Sequence, residues 1–157
     1  MPHIKAHENI EKRLLIVEDE KSIQDIYGGF FDMLIGRDHY LIVDNVFMAK
    51  SLFPVFDTLV CDGEFHRCMN RLKDGCGVRL IESFSKFRAK EHPQKYGDAK
   101  KYDGIWLVSG NDSKVNRARE NGYHACNKPI PVTFYQEVAH YMKTGEMTAL
   151  PQSLKTK

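Results

Sequence analysis

Three short apolar runs recur along the chain, and each ends abruptly on a polar side chain. Leu14-Leu15-Ile16-Val17 runs into Glu18 and Asp19, Asp57-Thr58-Leu59-Val60-Cys61 into Asp62, and Ile105-Trp106-Leu107-Val108 into Ser109. A fourth segment, Tyr123 to Asn127, leads into Lys128-Pro129. Runs this short, apolar at successive positions rather than at alternate ones, predict strands buried on both faces, as in a parallel sheet. Asp62 then stands where its strand leaves the sheet, the edge at which open α/β sheets bind ligands. Three acids, a hydroxyl and a lysine thus arrive at strand ends that a parallel sheet brings together.

Between the strands the period changes to that of helices. The first helix is expected from Glu20 to about Ile35, burying Ile23, Ile26, Tyr27, Phe30 and Leu34 on one face. Gly28 and Gly29 inside it each cost roughly 0.5–1 kcal/mol against alanine, and Gly36 supplies the stop. Tyr40 to Val43 is the second strand. Asp44 or Asn45 can cap a helix from Val46 to Phe53, closed by Pro54. Gly63 to Gly77 is a long polar loop without a period. Arg79 to Lys90 is helical, with Leu80, Ile81, Phe84 and Phe87 inward. Glu91 to Gly104, charged and punctuated by Pro93 and Gly97, reads as a surface excursion. Asn111, Asp112 or Ser113 can cap a short helix ended by Gly122, with Val115 and Ala118 as its apolar positions. The last helix starts near Pro131, a favoured first-turn residue. It buries Val132, Tyr135, Val138, Ala139 and Met142 and stops at Gly145. Residues 1–12 form an extension and 146–157 a tail, leaving one domain over 13–145.

Strands alternating with helices predict a flavodoxin-like, doubly wound five-stranded parallel sheet, order 2-1-3-4-5, with helices on both faces. The 157 residues suffice for one domain with a core. Lys plus Arg number 23 and Asp plus Glu 21, a net charge of +2 that gives no electrostatic ground for nucleic-acid binding. No apolar run is long enough to span a bilayer, and Met1 to Arg13 lacks the apolar segment of a signal peptide. The expected location is therefore cytoplasmic. Cys61, Cys68, Cys76 and Cys126 lack tight pair spacing and read as reduced thiols. His66, Cys68 and Cys76 do not make the pattern of a closed zinc site.

LLIVEDE with Glu18 and Asp19, LVCD with Asp62, LVSG with Ser109, and NKPI with Lys128 and Pro129 stand in this order, each at a strand end. Together they make the chain, over about Arg13 to Thr144, resemble the receiver domain of two-component response regulators. The resemblance implies a stand-alone, chemotaxis-type receiver. It would accept a phosphoryl group on Asp62 from a phosphohistidine on a sensor histidine kinase or a histidine phosphotransfer protein. It implies Mg²⁺ held by Asp19 and Asp62, with Glu18 acting directly or through water and the Glu64 carbonyl adding an oxygen. Lys128 and Ser109 would stabilise the transferred group. Output would pass through protein–protein contacts on the 112–141 face, which also offers a homodimer surface, and no DNA-binding or enzymatic output domain is expected after Gly145.

The pattern also departs from the family. Gly63-Glu64-Phe65-His66 follows the acceptor in place of a Met-Pro pair, and a second insertion lies at 91–104. The position of the switch aromatic is Ala125, with Tyr123 or His124 as candidate substitutes. These departures support an alternative, a pseudo-receiver that binds a partner or dimerises without phosphorylation. A phosphohydrolase with an Asp nucleophile is disfavoured, because Glu64 stands where its second Asp would be and no cap domain is evident.

Overall fold

The computed structural model describes residues 10–63 and 76–147, the side chain of Cys76 excepted. Five parallel strands form one sheet: β1 (Leu14–Val17), β2 (Tyr40–Val43), β3 (Thr58–Asp62), β4 (Ile105–Ser109) and β5 (His124–Asn127). Their order is β2-β1-β3-β4-β5, as the alternation predicts. The helices are α1 (Lys21–Leu34), α2 (Val46–Ser51), α3 (Cys76–Glu91), α4 (Pro93–Tyr96), α5 (Asp112–Glu120) and α6 (Val132–Thr144). None of them is long and apolar enough to cross a membrane among the described residues.

The strands divide their side chains between two cores, because successive residues point to opposite faces. Leu14, Ile16, Val60, Trp106 and Val108 pack against α1 and α6. Leu15, Val17, Leu59, Cys61, Ile105 and Leu107 pack on the other face against α3 and α5. The first core is aromatic. Phe30 stacks on Tyr135 at 4.1 Å between centroids, and Tyr27 and Phe31 meet the same ring edge-on.

These rings account for two differences from the sequence reading. The stripe of α1 is centred on Tyr27 and Phe31, so Ile26 is displaced to its margin and is 50 % exposed. In α6 the inward positions are Phe134, Tyr135, Val138, Ala139, Tyr141 and Met142, and Val132 is 54 % exposed. Phe87 is only half-buried. Asn45 caps α2 by accepting from Met48 N, and Asn111 caps α5 by accepting from Lys114 N. Gly145 ends α6 at a φ of 75°, a conformation that favours glycine. α2 is shorter than expected, and Pro54 lies within a separate 3₁₀ turn, Phe53–Val55. Pro131 occupies the position before α6 rather than its first turn. Helix α3 begins at Cys76, ahead of the expected Arg79. The rest of the long loop, 64–75, lies outside the described residues.

The 91–104 segment is built rather than loose. It holds α4 and a 3₁₀ turn, Asp98–Lys100, and buries Tyr96. Arg88, also buried, is the reason. Its guanidinium donates to the carbonyls of Asp57 (2.6 Å), Asp103 (2.7 Å) and Lys101 (3.1 Å) and lies 3.8 Å over the Tyr96 ring. One side chain thus satisfies three carbonyls that the sheet edge leaves over.

Two stability predictions follow from these contacts. Arg88→Ala strips partners from three half-buried carbonyls and is expected to lower unfolding free energy by about 3 kcal/mol. An unchanged denaturant midpoint would refute the tether. At Gly29 an added Cβ meets nothing within 4 Å. Gly29→Ala should therefore raise stability by about 0.5–1 kcal/mol, read from the same curves.

Candidate functional site: an acidic strand-end cluster with a buried lysine

Sheet register makes this site. Val17 pairs with Cys61, so Glu18 and Asp62 emerge side by side one residue further on. Asp62 pairs with Val108 and Ser109 with Asn127, which brings Lys128 to the same edge. Alternation then selects the face. Glu18 continues the row of Leu14 and Ile16, Asp62 the row of Val60, and Lys128 the row of Cys126, all on the α1/α6 side. Ser109 has the opposite parity. Backbone bonds extend the ladder past the last paired residues: Glu18 N to Val43 O (3.0 Å), Gly63 N to Val108 O (2.8 Å) and Lys128 N to Ser109 O (2.9 Å).

The Lys128 ammonium lies 3.2 Å from Asp62 Oδ1 and 3.4 Å from Glu18 Oε1. Glu18 is held at both carboxylate oxygens, since Oε2 accepts from Glu20 N at 3.1 Å. Its carbonyl accepts from Gln24 Nε2 at 2.6 Å. Glu18, Asp62 and Ser109 are buried. Burial, and then the neighbouring Asp62 charge, push the Glu18 carboxyl up to about 7 despite the lysine. Burial pushes the Lys128 ammonium down, but Asp62 and Glu18 outweigh it and the net direction is up.

Oxygens of Glu18, Asp19 and Asp62 lie within 4.8 Å of one another. Mg²⁺–oxygen bonds are about 2.0–2.1 Å, so ligands on opposite sides of one ion stand roughly 4.2 Å apart. An all-carboxylate set at this separation fits a hard divalent cation. The Glu64 carbonyl, His66 and Cys68 lie outside the described residues, as does the Cys76 side chain. Cys61 and Cys126 are free thiols; burial pushes the first well up and the second up to about 12.

Ser109 Oγ accepts from Asn111 N at 3.0 Å, leaving its proton to donate elsewhere. A Cβ at Gly63 would stand 3.0 Å from the Ser109 Cβ. Gly77, at the start of α3, packs so tightly that a side chain there would collide with the Asp62 carbonyl. Sequence reasoning missed this role of Gly77; its only signal was a glycine ahead of a helical stripe. Tyr123 is buried, donates to Glu82 Oε1 at 2.9 Å and meets Tyr102 edge-on. His124 faces the other way, with Nε2 3.8 Å from Asp103.

A parallel 2-1-3-4-5 sheet carrying this edge matches solved structures along most of its length. The Francisella response regulator 1452 receiver domain is 14% identical, covered completely by 87% of this chain, with a TM-score of 0.58. The receiver domain of NtrX from Brucella abortus is 18% identical, with 85% of this chain covering 99% of it at a TM-score of 0.59. The signal receiver domain of a DNA-binding response regulator from Colwellia psychrerythraea is 21% identical, with 85% of this chain covering all of it, again at 0.59. The chain has the receiver fold. Profiles of known protein families do not match its sequence, and neither does any curated protein.

The elevated Glu18 carboxyl sets a pH test. Its folded-state value, about 7, lies above its ordinary 4.5, so the folded protein holds the extra proton. Stability is then fully present below about pH 4.5 and is lost as pH rises through about 7. In metal-free buffer, Glu18→Gln should melt roughly 2–4 °C higher than the parent at pH 8 and show no gain at pH 4.5. Saturating Mg²⁺ should reverse the ranking at pH 8, and Asp19→Asn should blunt the Mg²⁺ shift. Melting curves indifferent to both pH and Mg²⁺ would rule out the cation site.

Proposed function

We propose that this protein is a two-component receiver that takes a phosphoryl group onto Asp62 from a phosphohistidine donor and signals through protein–protein contacts. The observation that carries the proposal is Lys128 Nζ, 3.2 Å from Asp62 Oδ1 in a buried cluster with Glu18. An isolated aspartate at a strand end needs no lysine drawn in from a strand two positions away in the sheet.

Asp62 Oδ attacks phosphorus as the phosphorus–nitrogen bond to the donor imidazole breaks, and the ring leaves with the bonding pair. Lys128 would meet the charge that grows on the equatorial oxygens and Ser109 would donate to one of them, so the protein contributes positioning and electrostatics. Glu18, Asp19 and Asp62 would hold Mg²⁺, with the Glu64 carbonyl as a further oxygen ligand. The cation would offset repulsion between the acids and the incoming anion. Lys128 exchanges part of its contact with Glu18 and Asp62 for the new phosphoryl oxygens.

Transfer therefore alters the edge joining Ser109 to α5. Tyr123 is held by Glu82 and Tyr102, which supports the 109–112 turn rather than Tyr123 as the element that would move. The α5–β5–α6 surface, residues 112–141, would carry the output to a protein partner or a second copy of the chain.

Incubation with a small acyl phosphate and Mg²⁺ should add one phosphoryl group, labile to hydroxylamine and base. Asp62→Asn and a chelator should each abolish it, while Lys128→Ala should slow it and uncouple it from any change at 109–112. Equal labelling of Asp62→Asn sinks the assignment. No labelling from any donor would point to a phosphorylation-independent interaction module.

A further inference from the structure

The opposite edge of the sheet, where the strands begin, holds a cavity of about 500 Å³. Four lysines line it: Lys12 ahead of β1, Lys95 and Lys100 from the 91–104 segment, and Lys143 at the end of α6. None of the four is in an ion pair among the described residues. Lys12 lies 5.0 Å over the Tyr141 ring, within the field of Asp57 and Glu11, and Lys95 5.4 Å over the Tyr96 ring. Tyr96 also lines the cavity; its buried hydroxyl makes no close hydrogen bond, with the Lys95 ammonium acting on it from nearby. A buried hydroxyl left in that state is costly unless a ligand completes it.

Three acids share the cavity wall against four lysines; Asp57 acts on Lys12, and two of the acids also have other partners. Asp57 Oδ1 accepts from Arg13 N at 3.0 Å and from Thr58 Oγ at 2.8 Å. Asp103 Oδ1 faces His124 Nε2. Glu11 is exposed at the rim. Lysine 143 complements the carboxyl end of α6, yet that helix end does not require Lys12, Lys95 and Lys100 beside it. The volume falls within the usual range for small-molecule sites, roughly 300–1,000 Å³. A ring of compact ammonium charges with a hydroxyl donor suits phosphate oxygens.

We propose that this cavity binds a small phosphorylated anion carrying a pyrophosphate group, at a site separate from the acidic edge. Strand β3, five residues long, separates the two sites by about 16 Å. Inorganic phosphate, pyrophosphate and ADP are the probes, titrated calorimetrically with chelator present so that the acidic edge takes no part. Pyrophosphate and ADP should bind, and phosphate more weakly. Lys95→Ala/Lys143→Ala, both exposed positions, should weaken binding by roughly tenfold or more, and Tyr96→Phe should weaken it without changing the fold. Asp62→Asn should leave binding intact, which keeps this test independent of the phosphoryl-acceptor reading. A control double variant, Lys50→Ala/Lys86→Ala, removes the same charge elsewhere. The proposal is overturned if none of the three anions binds at millimolar concentration, if the control loses as much affinity, or if only acidic peptides bind.

Discussion

The ammonium of Lys128, set between Glu18 and Asp62, balances one of two carboxylate charges that the sheet has taken out of water. A buried acid without compensation is expensive, and the upward push on the Glu18 carboxyl expresses that cost. Much of the surrounding structure serves to hold this arrangement. The ladder bonds of Glu18 N and Lys128 N keep the strand ends in line. Glu20 N and Gln24 Nε2 fix the Glu18 residue from α1. A divalent cation at the acidic edge would relieve the remaining repulsion.

Helix α3 connects this edge with the opposite one. Its first turn presses Gly77 against the Asp62 backbone, and Arg88, three turns later, grips the carbonyl of Asp57 just ahead of the same strand. The helix therefore touches β3 at both ends. The 91–104 segment is pinned to the far end through Arg88 and Tyr96, and it supplies lysines to the basic cavity. The acidic side chains at one end of the strands and the lysines at the other are thus joined through contacts of the same helix.

The solved receiver domains resemble the chain in fold while sharing few residues with it. Buried strands accept many combinations of Leu, Ile and Val, so a parallel sheet persists while its sequence drifts. Strand-end positions have less freedom, because each must present one chemical group at one register. Ala125 shows the other side of this. The aromatic ring on this strand face is instead Tyr123, two residues earlier, bonded to Glu82 and edge-on to Tyr102.

Strand order, the two-sided core and the grouping of Glu18, Asp19, Asp62, Ser109 and Lys128 at one edge were legible in the sequence. Apolar runs ending on polar residues report burial, strand length and polarity together, all of them local properties of the chain. The sequence also singled out Val115 and Ala118 as the apolar positions of α5, which the structure buries, and put a helix stop at Gly145, since composition and a left-handed cap are local too. It misjudged Ile26 and Val132, because the centre of each stripe was chosen by aromatic rings meeting across helices. It could not show that Arg88 is buried or that Gly77 touches the Asp62 backbone at the end of β3. Both facts depend on where segments distant in the chain stop against one another. Only the tertiary structure set the 3.2 Å contact of Lys128 with Asp62, because that distance depends on the register of four strands at once.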